Sequence, residues 1–415
     1  MSARTLLRVS LPFLALAAAS AGCSTVGHGA HGSRTTSAAV APRDSTTPSL
    51  DELRTREAPA PLKEFRVRAA DGAIELHVKA SAPPTTKTHK QPDGSSYSIV
   101  SFPLGNDVEA SCHANSGALD LAHWVDAVLT ETHTTLVEPP TVAVEVVEGH
   151  PILFVHTDGV LEQGGVKKRH IAKFAAMHLD QGSVACVHDA VGFEATFRDL
   201  ARHVARTSKT PGADRPAFRS ISIARDGEQV LGFEELRMYA GPKPGEQRQI
   251  ALSSGVIGTE NAWTTSDTGW FGLVDAKGVV RERSVSRTGA QTDHDMTLDR
   301  KSPGVFNYEG KVKGEPKKGS FTTKGPLVTH LSRTRSLAAF ARDDKRKELA
   351  LLHFEEKAPE AAVREVVTHE GNGQVGLEDR GRAFHCTIDP RGLCSKRWLE
   401  GSTIVVERAY VAGSL

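Results

Sequence analysis

The segment FRVRAADGAIELHVK, residues 65–79, decides the fold of the first globular part of the chain. Apolar side chains occupy every second position on both sides of a turn at Asp71-Gly72. These apolar positions are Phe65, Val67, Ile74, Leu76 and Val78. Because side chains of a strand point alternately to its two faces, the pattern predicts an antiparallel hairpin with one solvated face. In this interpretation His77 lies on the solvated face.

The sequence around this hairpin, residues 61–208, predicts an α+β domain. A polar loop over 83–94 precedes strand-like runs at 97–104, 108–112, 142–146, 152–155, 171–179 and 184–187. Two apolar stripes at helical spacing are interleaved with these runs. The first stripe is Leu121, Trp124, Val125, Val128 and Leu129, and the second is Phe193, Phe197, Leu200, Ala201 and Val204. The order of elements indicates an antiparallel sheet with two helices.

Beyond a polar linker at 209–215, the pattern over 216–415 is almost entirely that of strands. Short β-like runs alternate with turn sequences such as Gly241-Pro242 and Gly314-Glu315-Pro316. One helix is predicted at about 327–342, with Leu331, Leu337, Phe340 and Ala341 on its buried side. This region therefore predicts a mostly antiparallel β domain with a single helix.

The N-terminus carries features of an export signal. Arg4 and Arg8 precede the apolar run VSLPFLALAAA at 9–19, which is too short to span a bilayer as a stable helix. The following Ser20-Ala21-Gly22-Cys23 resembles a bacterial lipobox. The resemblance implies export, removal of the signal peptide 1–22, and acyl chains on Cys23 that anchor the protein in a membrane. Residues 23–60 are rich in small and polar residues and predict a flexible tether.

Ordinary secretion is the alternative, because Ala19-Ser20-Ala21 is also an A-x-A cleavage site. The cysteine count favours lipidation. The chain has five cysteines, and acylation of Cys23 leaves an even number for disulfides in an oxidising compartment. Four cysteines allow three connectivities, and confinement of each bond to one domain favours Cys112–Cys186 and Cys386–Cys394.

Two resemblances extend the fold prediction. The closing helix of residues 61–208, with the pattern Phe-x3-Phe-x2-Leu-Ala, and the order of elements before it resemble the PsbP-like α+β fold. The long meander with one helix at 216–415 is similar to the half-barrel of outer-membrane lipoprotein-sorting proteins. That second resemblance implies a curved sheet around a helix, and an apolar concavity that either accepts a hydrophobic ligand or is filled by side chains.

Several short motifs suggest chemistry that their context does not support. GNGQVG at 371–376 matches G-x-G-x-x-G, but strand-like runs flank it on both sides, so it predicts a hairpin turn and no dinucleotide site. Asp293-His294-Asp295 offers metal ligands, but neighbouring strand residues point to opposite faces. Two histidines in the tether, His28 and His31, have no partner ligand nearby. No metal or cofactor site is expected.

At three places in the sequence a histidine and an aspartate lie one or two positions apart, and each such pair could act as a general base and its orienting group. They are His156/Asp158, His178/Asp180 and His188-Asp189. No G-x-S-x-G motif and no activated cysteine supplies a nucleophile for them.

Composition excludes one class of partner, because 51 basic and 50 acidic residues leave no field that would attract nucleic acid. The sequence thus favours a non-catalytic cell-envelope lipoprotein that binds an envelope protein or a hydrophobic ligand. Ser24 offers no acidic retention signal, which by analogy with diderm bacteria points to the outer membrane. The alternative function is a secreted or envelope hydrolase that uses one of the His/Asp pairs of the first domain, and the alternative location is secreted or periplasmic. The oligomeric state is left open.

Overall fold

The computed structural model describes residues 50–59, 61–90, 95–117, 120–163, 165–259, 262–379 and 382–413. Strands make up 61% of this part of the chain and helices 12%. The strand pairs are antiparallel, apart from one short parallel pair at an edge of the largest sheet. The fold is therefore mainly antiparallel β.

The segment at 65–79 forms the predicted hairpin. Strands β1 (Lys63–Ala69) and β2 (Ile74–Ala80) pair antiparallel across a 3-10 turn at Ala70–Gly72. The prediction of a solvated His77 is wrong, because its ring is 5% exposed and lies 2.9 Å from both Glu64 and Glu75. Alternation in one hairpin cannot reveal that a later helix covers its second face.

A second sheet of eight strands follows. Its order is β3-β4-β5-β10-β9-β8-β6, and β7 also pairs with β8. The strands are β3 (Thr85–Lys90), β4 (Ser96–Gly105), β5 (Val108–Asn115), β6 (Thr134–Leu136), β7 (Thr141–Val147), β8 (His150–Gln163), β9 (Val166–His178) and β10 (Ser183–His188). Strand β3 lies inside the predicted polar loop. It is an edge strand with mostly exposed side chains, so it carries no apolar alternation.

Three helices belong to this part of the chain: α1 (Leu50–Arg54), α2 (Leu121–Glu131) and α3 (Glu194–Thr207). The residues of the two predicted apolar stripes are buried and form two separate clusters, as α2 and α3 pack on opposite faces of the sheet. Phe193 of the second stripe is the N-cap residue of α3 and lies just outside the helix. The end of the predicted tether is not free. Glu57 accepts hydrogen bonds at the start of α3 from the backbone N–H groups of Ala195 and Thr196, at 2.9 and 2.8 Å.

The rest of the chain forms one sheet of fifteen strands. Its order is β18-β17-β16-β15-β14-β13-β12-β11-β25-β24-β23-β22-β21-β20-β19. The strands on the first side are β11 (Phe218–Asp226), β12 (Gln229–Ala240), β13 (Gln247–Thr259), β14 (Ala262–Asp275), β15 (Gly278–Thr288), β16 (Gln291–Ser302), β17 (Val305–Val312) and β18 (Glu315–Thr322). Those on the second side are β19 (Leu327–Val328), β20 (Glu348–His353), β21 (Val363–Gly371), β22 (Gln374–Asp379), β23 (Arg382–Ile388), β24 (Cys394–Leu399) and β25 (Ile404–Gly413).

Most of this sheet is a meander of sequential hairpins. The predicted turn at Gly371–Gly376 is one of them, because β21 pairs with β22 around Asn372-Gly373. Two pairings are exceptions. Strand β19 pairs parallel with β20 across α4, and β11 pairs with the last strand β25, which joins the two sides of the sheet.

The predicted single helix is α4 (His330–Ala341). It packs against one face of the fifteen-stranded sheet, which we call the α4 face. Leu337, Ala338 and Phe340 are buried there between strands from both sides of the sheet. Thr329 precedes the helix and forms a capping box with Ser332: the Thr329 hydroxyl accepts from the Ser332 N–H, and the Thr329 N–H donates to the Ser332 hydroxyl oxygen.

The other face of strands β12–β14 is covered by the eight-stranded sheet and α2. Phe233 and Val256 join Trp124 and Val125 in one apolar cluster. A polar cluster flanks it, in which Glu235 is fully buried. The predicted linker begins at Lys209, whose backbone exchanges two hydrogen bonds with Glu75 at 2.8 and 2.9 Å. The two sheets therefore share a core.

Candidate functional site

The predicted lipidation site Cys23 lies outside the described residues, and so do the signal peptide 1–22 and the tether histidines His28 and His31. The other four cysteines form two pairs at disulfide distance, Cys112–Cys186 and Cys386–Cys394. Adjacent strands supply both pairs: β5 with β10, and β23 with β24. This is the connectivity that confinement within each part of the chain favours.

The three His/Asp pairs are not brought together as base and orienting group. Arg169 holds Asp158, with its Nε 2.9 Å from Oδ1, and His156 beside it is exposed. Arg219 donates to Asp180 at 2.6 Å.

The two buried histidines of this set have other partners. His178 lies with Nδ1 3.2 Å from the Ser183 hydroxyl, and burial first, then the charge of Arg237, lowers its pKa to about 3. His188 donates to the Glu109 carbonyl at 3.1 Å. Within the described ranges, no hydrogen bond joins histidine and aspartate in any of the three pairs.

The Asp293-His294-Asp295 triplet spreads over both faces of β16, as the alternation of strand side chains requires. His294 is buried, 2.8 Å from the Ser284 hydroxyl, whereas Asp295 pairs with Arg283 at 3.2 Å on the outer side. Among the residues that the structure describes, no group of three or more histidine, cysteine, aspartate or glutamate side chains could hold a metal ion.

A polar cavity beside α4 is the site that the sequence did not indicate. Its volume is about 210 Å³, and it lies between the N-terminal half of α4 and strands β14 and β15. The lining residues are Trp270, Glu282, Val328, Thr329, Arg333, His353, Phe354, Glu355 and Glu356. We call it the Glu282 cavity.

Strand register places Glu282 in this cavity. Glu282 lies opposite Gly272 on β14 and opposite Leu298 on β16, and its two neighbours Arg281 and Arg283 point outward. Gly272 has no side chain, and a Cβ there would lie 3.4 Å from the methyl group of Thr329. The missing side chain leaves room for α4 to start close to the sheet, with the Glu282 carboxyl beneath it.

The carboxyl group of Glu282 has no partner within the described part of the chain. The residue is 7% exposed, and neither a hydrogen bond nor an ion pair from the described residues reaches its oxygens. Burial, and secondly the charge of Glu356, raises the pKa of Glu282 to about 8. A buried carboxyl group without a partner is costly, so natural proteins retain one rarely and often at a functional site.

Trp270 and Glu356 form the wall beside Glu282. The indole Nε1 of Trp270 donates to Oε1 of Glu356 at 2.9 Å, which fixes both side chains. Glu356 lies in the loop between β20 and β21 and is half-buried. The wall therefore presents an aromatic surface next to a carboxylate.

Arg333, which lines the cavity, already has a counter-ion. Arg333 on α4 donates to the fully buried Glu365 on β21, so their charges compensate each other. Nearby, Thr329 donates to the amide oxygen of Gln249. Three buried polar atoms at this place have no hydrogen-bond partner among the described residues, namely Arg333 Nε, Glu365 Oε2 and Gln249 Nε2. The α4 face is thus polar at its β13–β15 end.

Two further concavities border α4. One of about 80 Å³ lies between Leu236, Thr334 and Arg397, close to Cys394. The other is a surface groove of about 880 Å³ at the end of α4, lined by the Gly371–Gly376 turn and by side chains of both signs. Asp389 of that groove is paired with Arg408 at 2.5 Å. Neither concavity contains a buried carboxyl group without a partner.

A weak sequence signal for Glu282 exists in hindsight. In the string Arg281-Glu282-Arg283, both arginines pair with aspartates of the next strand, Arg281 with Asp299 and Arg283 with Asp295. Such pairing fixes the arginines outward and the glutamate inward. The three residues Arg281, Glu282 and Arg283 include no apolar side chain, so a search for alternating hydrophobicity does not detect that Glu282 points inward.

The chain matches no protein-family model, no curated protein and no solved structure at the significance required. In the described part of the chain, no helix combines the length and the apolar character that crossing a bilayer requires. The geometry of the Glu282 cavity is therefore the main guide to function.

Proposed function

We propose that this protein is a non-catalytic cell-envelope lipoprotein that binds a small polar ligand in the Glu282 cavity. The lipobox-like Ser20–Cys23 supports export and a membrane anchor through acyl chains on Cys23. The even number of remaining cysteines, paired at disulfide distance, supports an oxidising compartment. By analogy with lipoprotein sorting in diderm bacteria, the absence of an acidic residue at Ser24 favours an anchor in the outer membrane.

The proposed architecture follows the two fold resemblances. Residues 61–208 form a PsbP-like α+β domain, and residues 216–415 form a half-barrel-like domain around α4. Support for the first comes from an antiparallel sheet with α2 and α3 on its two faces. Support for the second comes from a helix that contacts strands of both sides of one long sheet.

The unpartnered carboxyl group of Glu282 in a 210 Å³ cavity is the observation that carries the proposal. Ligand sites are usually concave and contain a few convergent polar groups. A hydrophobic ligand is less suited to this place, because Glu282, Arg333 and Glu356 line it. The apolar part of the α4 face is occupied by Leu337 and Phe340 of the helix itself.

The hydrolase alternative has weaker support. Asp158 and Asp180 are engaged by arginines, and His188 by a backbone carbonyl. Of the three histidines, His156 is exposed, whereas His178 and His188 are buried.

Mass spectrometry of the protein from its native membrane tests the proposal. We expect an acylated N-terminal Cys23, two disulfides, and a small polar compound in the extract of the wild-type protein. A full-length Glu282→Gln variant should carry the acyl chains and disulfides but lose the compound. Glu309→Gln, on an exposed hairpin, is the matched control and should retain it.

Two outcomes would contradict the proposal. A chain that starts at Gly22 without acyl groups would exclude the anchor. Equal extracts from the wild type and Glu282→Gln, together with turnover of an envelope substrate that His156→Ala abolishes, would favour the hydrolase.

A further inference from the structure

We propose that the Glu282 cavity binds the ammonium group of a small organic amine, with Glu282 as its counter-ion. This inference rests on the proposed function and names the class of its ligand. It depends on three features of the cavity: the carboxyl group without a partner, the aromatic and acidic wall, and the compensated arginine.

A cationic ligand would give the carboxyl group of Glu282 the partner that it lacks. The residue as a whole is 7% exposed, its carboxyl group lines the cavity, and no hydrogen-bond donor among the described residues reaches it. Buried charges persist in proteins only when they are paired and hydrogen-bonded. An ammonium group supplies three N–H donors in a compact volume, enough for Glu282 and for a second acceptor.

The wall supplies that second acceptor. Glu356 raises the electrostatic cost of a charge on Glu282, which means that both carboxyl groups act on the same small space. Trp270 holds Glu356 through a 2.9 Å hydrogen bond and is itself part of the lining. The carboxylate of Glu356 is thus held next to Glu282 as a second acceptor for a positively charged ligand.

Arg333 does not cancel this preference, because Glu365 neutralises it. The two side chains are bonded to each other, and Glu365 is completely buried. Even an anionic ligand that bonded to the unpartnered Nε of Arg333 would lie beside the carboxyl groups of Glu282 and Glu356, whose negative charge opposes it. The cavity therefore selects against carboxylates.

The volume limits the size of the amine. One water molecule needs about 10–15 Å³ of cavity volume, so a cavity of about 210 Å³ has room for a small organic molecule. A primary amine with five or six carbons has this size. A metal ion is less suited, since no cluster of three metal-ligating side chains occurs among the described residues.

Binding should release a proton. The free protein keeps the proton on Glu282 at neutral pH, because burial and Glu356 hold the pKa of its carboxyl group at about 8. The amine binds as an ammonium ion, which already carries its own protons and needs Glu282 as a carboxylate. The Glu282 proton passes to the buffer, and the carboxylate and the ammonium ion form the bound pair.

Isothermal titration calorimetry with three probes of equal size tests the proposal: n-hexylammonium, hexanol and hexanoate. The full-length wild type should bind hexylammonium at least tenfold more tightly than either of the others. Titration at pH 7 in two buffers of different ionisation enthalpy should show the release of a fraction approaching one proton per ligand. Glu282→Gln should lose at least tenfold in hexylammonium affinity and all proton release, whereas Glu309→Gln should behave as the wild type.

The outcomes separate this inference from the proposed function. A preference for hexanoate or hexanol, or hexylammonium binding that Glu282→Gln leaves intact, would overturn the amine class. If the native extract still contains a Glu282-dependent compound in that case, the binding function stands with another ligand. If no probe binds and the extract is empty, both proposals fail.

Discussion

The carboxylate of Asp267, on β14, accepts a hydrogen bond from the backbone N–H of His123 in the first turn of α2, at 2.7 Å. A second bond comes from the N–H of Ala122 at 3.2 Å. Asp120, the N-cap residue of α2, makes no side-chain capping bond. The fifteen-stranded sheet thus supplies the cap of a helix that lies more than a hundred residues earlier in the chain. In a similar way the carboxylate of Glu57, which lies far earlier in the chain than α3, caps the start of that helix.

Replacement of Asp267 by alanine should weaken the contact between the two sheets. The change removes the cap of α2 and leaves the Ser254 hydroxyl, now 2.5 Å from Asp267, without its acceptor. We expect a loss of about 1–3 kcal/mol in the free energy of unfolding. Denaturant unfolding measures it, with the exposed turn variant Asp344→Ala as control. Equal midpoints for the two variants would mean that the cap contributes nothing.

The buried pair of Glu235 and Arg237 should couple the unfolding of both parts of the chain. Arg237 donates to both carboxylate oxygens of Glu235, at 2.7 and 2.6 Å, and to the Leu179 carbonyl at 2.5 Å. Arg237→Ala leaves Glu235 buried with one guanidinium fewer, at a cost of roughly 3–5 kcal/mol. We expect a single calorimetric transition for the wild type and two separate ones for Arg237→Ala. Arg281→Ala, which breaks an exposed pair, should keep the single transition.

Two transitions in the wild-type protein would contradict this coupling. They would mean that the shared cluster around Trp124 and Phe233 contributes less than the independent cores on either side of it.

Alanine variants of two histidines from the hydrolase alternative should differ in their free energy of unfolding. His178 is 3% exposed and bonded to Ser183, so His178→Ala should cost about 1–3 kcal/mol. His156 is exposed, and His156→Ala should stay within about 0.5 kcal/mol of the wild type. Thermal unfolding of both variants provides the measurement. A large loss of stability in His156→Ala would indicate a structural contact for this side chain.

The disulfides should differ in their contribution. The bond Cys112–Cys186 spans 74 residues and Cys386–Cys394 spans 8. In the loop-entropy model their removal costs roughly 4 kcal/mol and about 2–3 kcal/mol, respectively. The double variants Cys112→Ala/Cys186→Ala and Cys386→Ala/Cys394→Ala give the two values by denaturant unfolding. A larger loss from the short-loop pair would contradict the model.

Reduction should also follow burial. Both sulfurs of the first pair are completely buried, whereas Cys394 of the second is half-buried. Peptide mapping under mild reductant should therefore find Cys386 and Cys394 alkylated first.

Local patterns in the sequence are sufficient to predict those helices and strands that have one apolar face. The stripes of α2 and α3 and the alternation of β1 and β2 each lie within a short window, so the period reveals them. Pairing of cysteines also followed, because few arrangements exist. The pattern could not reveal elements without an apolar face, and edge strand β3 is an example.

The candidate site escaped prediction for a different physical reason. Glu282 is a charged residue between two arginines, and only strand register and the position of α4 place it inside. His77 was misplaced for the same reason, since α3 and the residues after it cover the face that the hairpin alone would leave to solvent. The interior of a protein is defined by contacts between distant segments, which a local period does not contain.

The pH dependence of stability should report the protonation of Glu282. Its pKa rises from an ordinary value of 4.5 to about 8 in the folded state, by burial first and by Glu356 second. Below pH 4.5 the carboxyl group is protonated in both states and contributes no slope. Between pH 4.5 and 8 unfolding releases the proton, so the free energy of unfolding falls as the pH rises, by up to about 1.4 kcal/mol per unit. Above pH 8 the slope ends.

Glu282→Gln isolates this effect, because glutamine is neutral in both states while Asp267, whose own raised pKa of about 7 gives a slope of the same sign, is unchanged. The difference in the free energy of unfolding between Glu282→Gln and the wild type should therefore grow in favour of the variant from pH 4.5 to pH 8, by a few kcal/mol on the order expected for a buried carboxyl group. Denaturant titrations at pH 4.5, 6, 7 and 8 measure it, and Glu309→Gln should run parallel to the wild type. Parallel profiles for Glu282→Gln as well would mean that Glu282 has a partner or a solvent path in the folded protein.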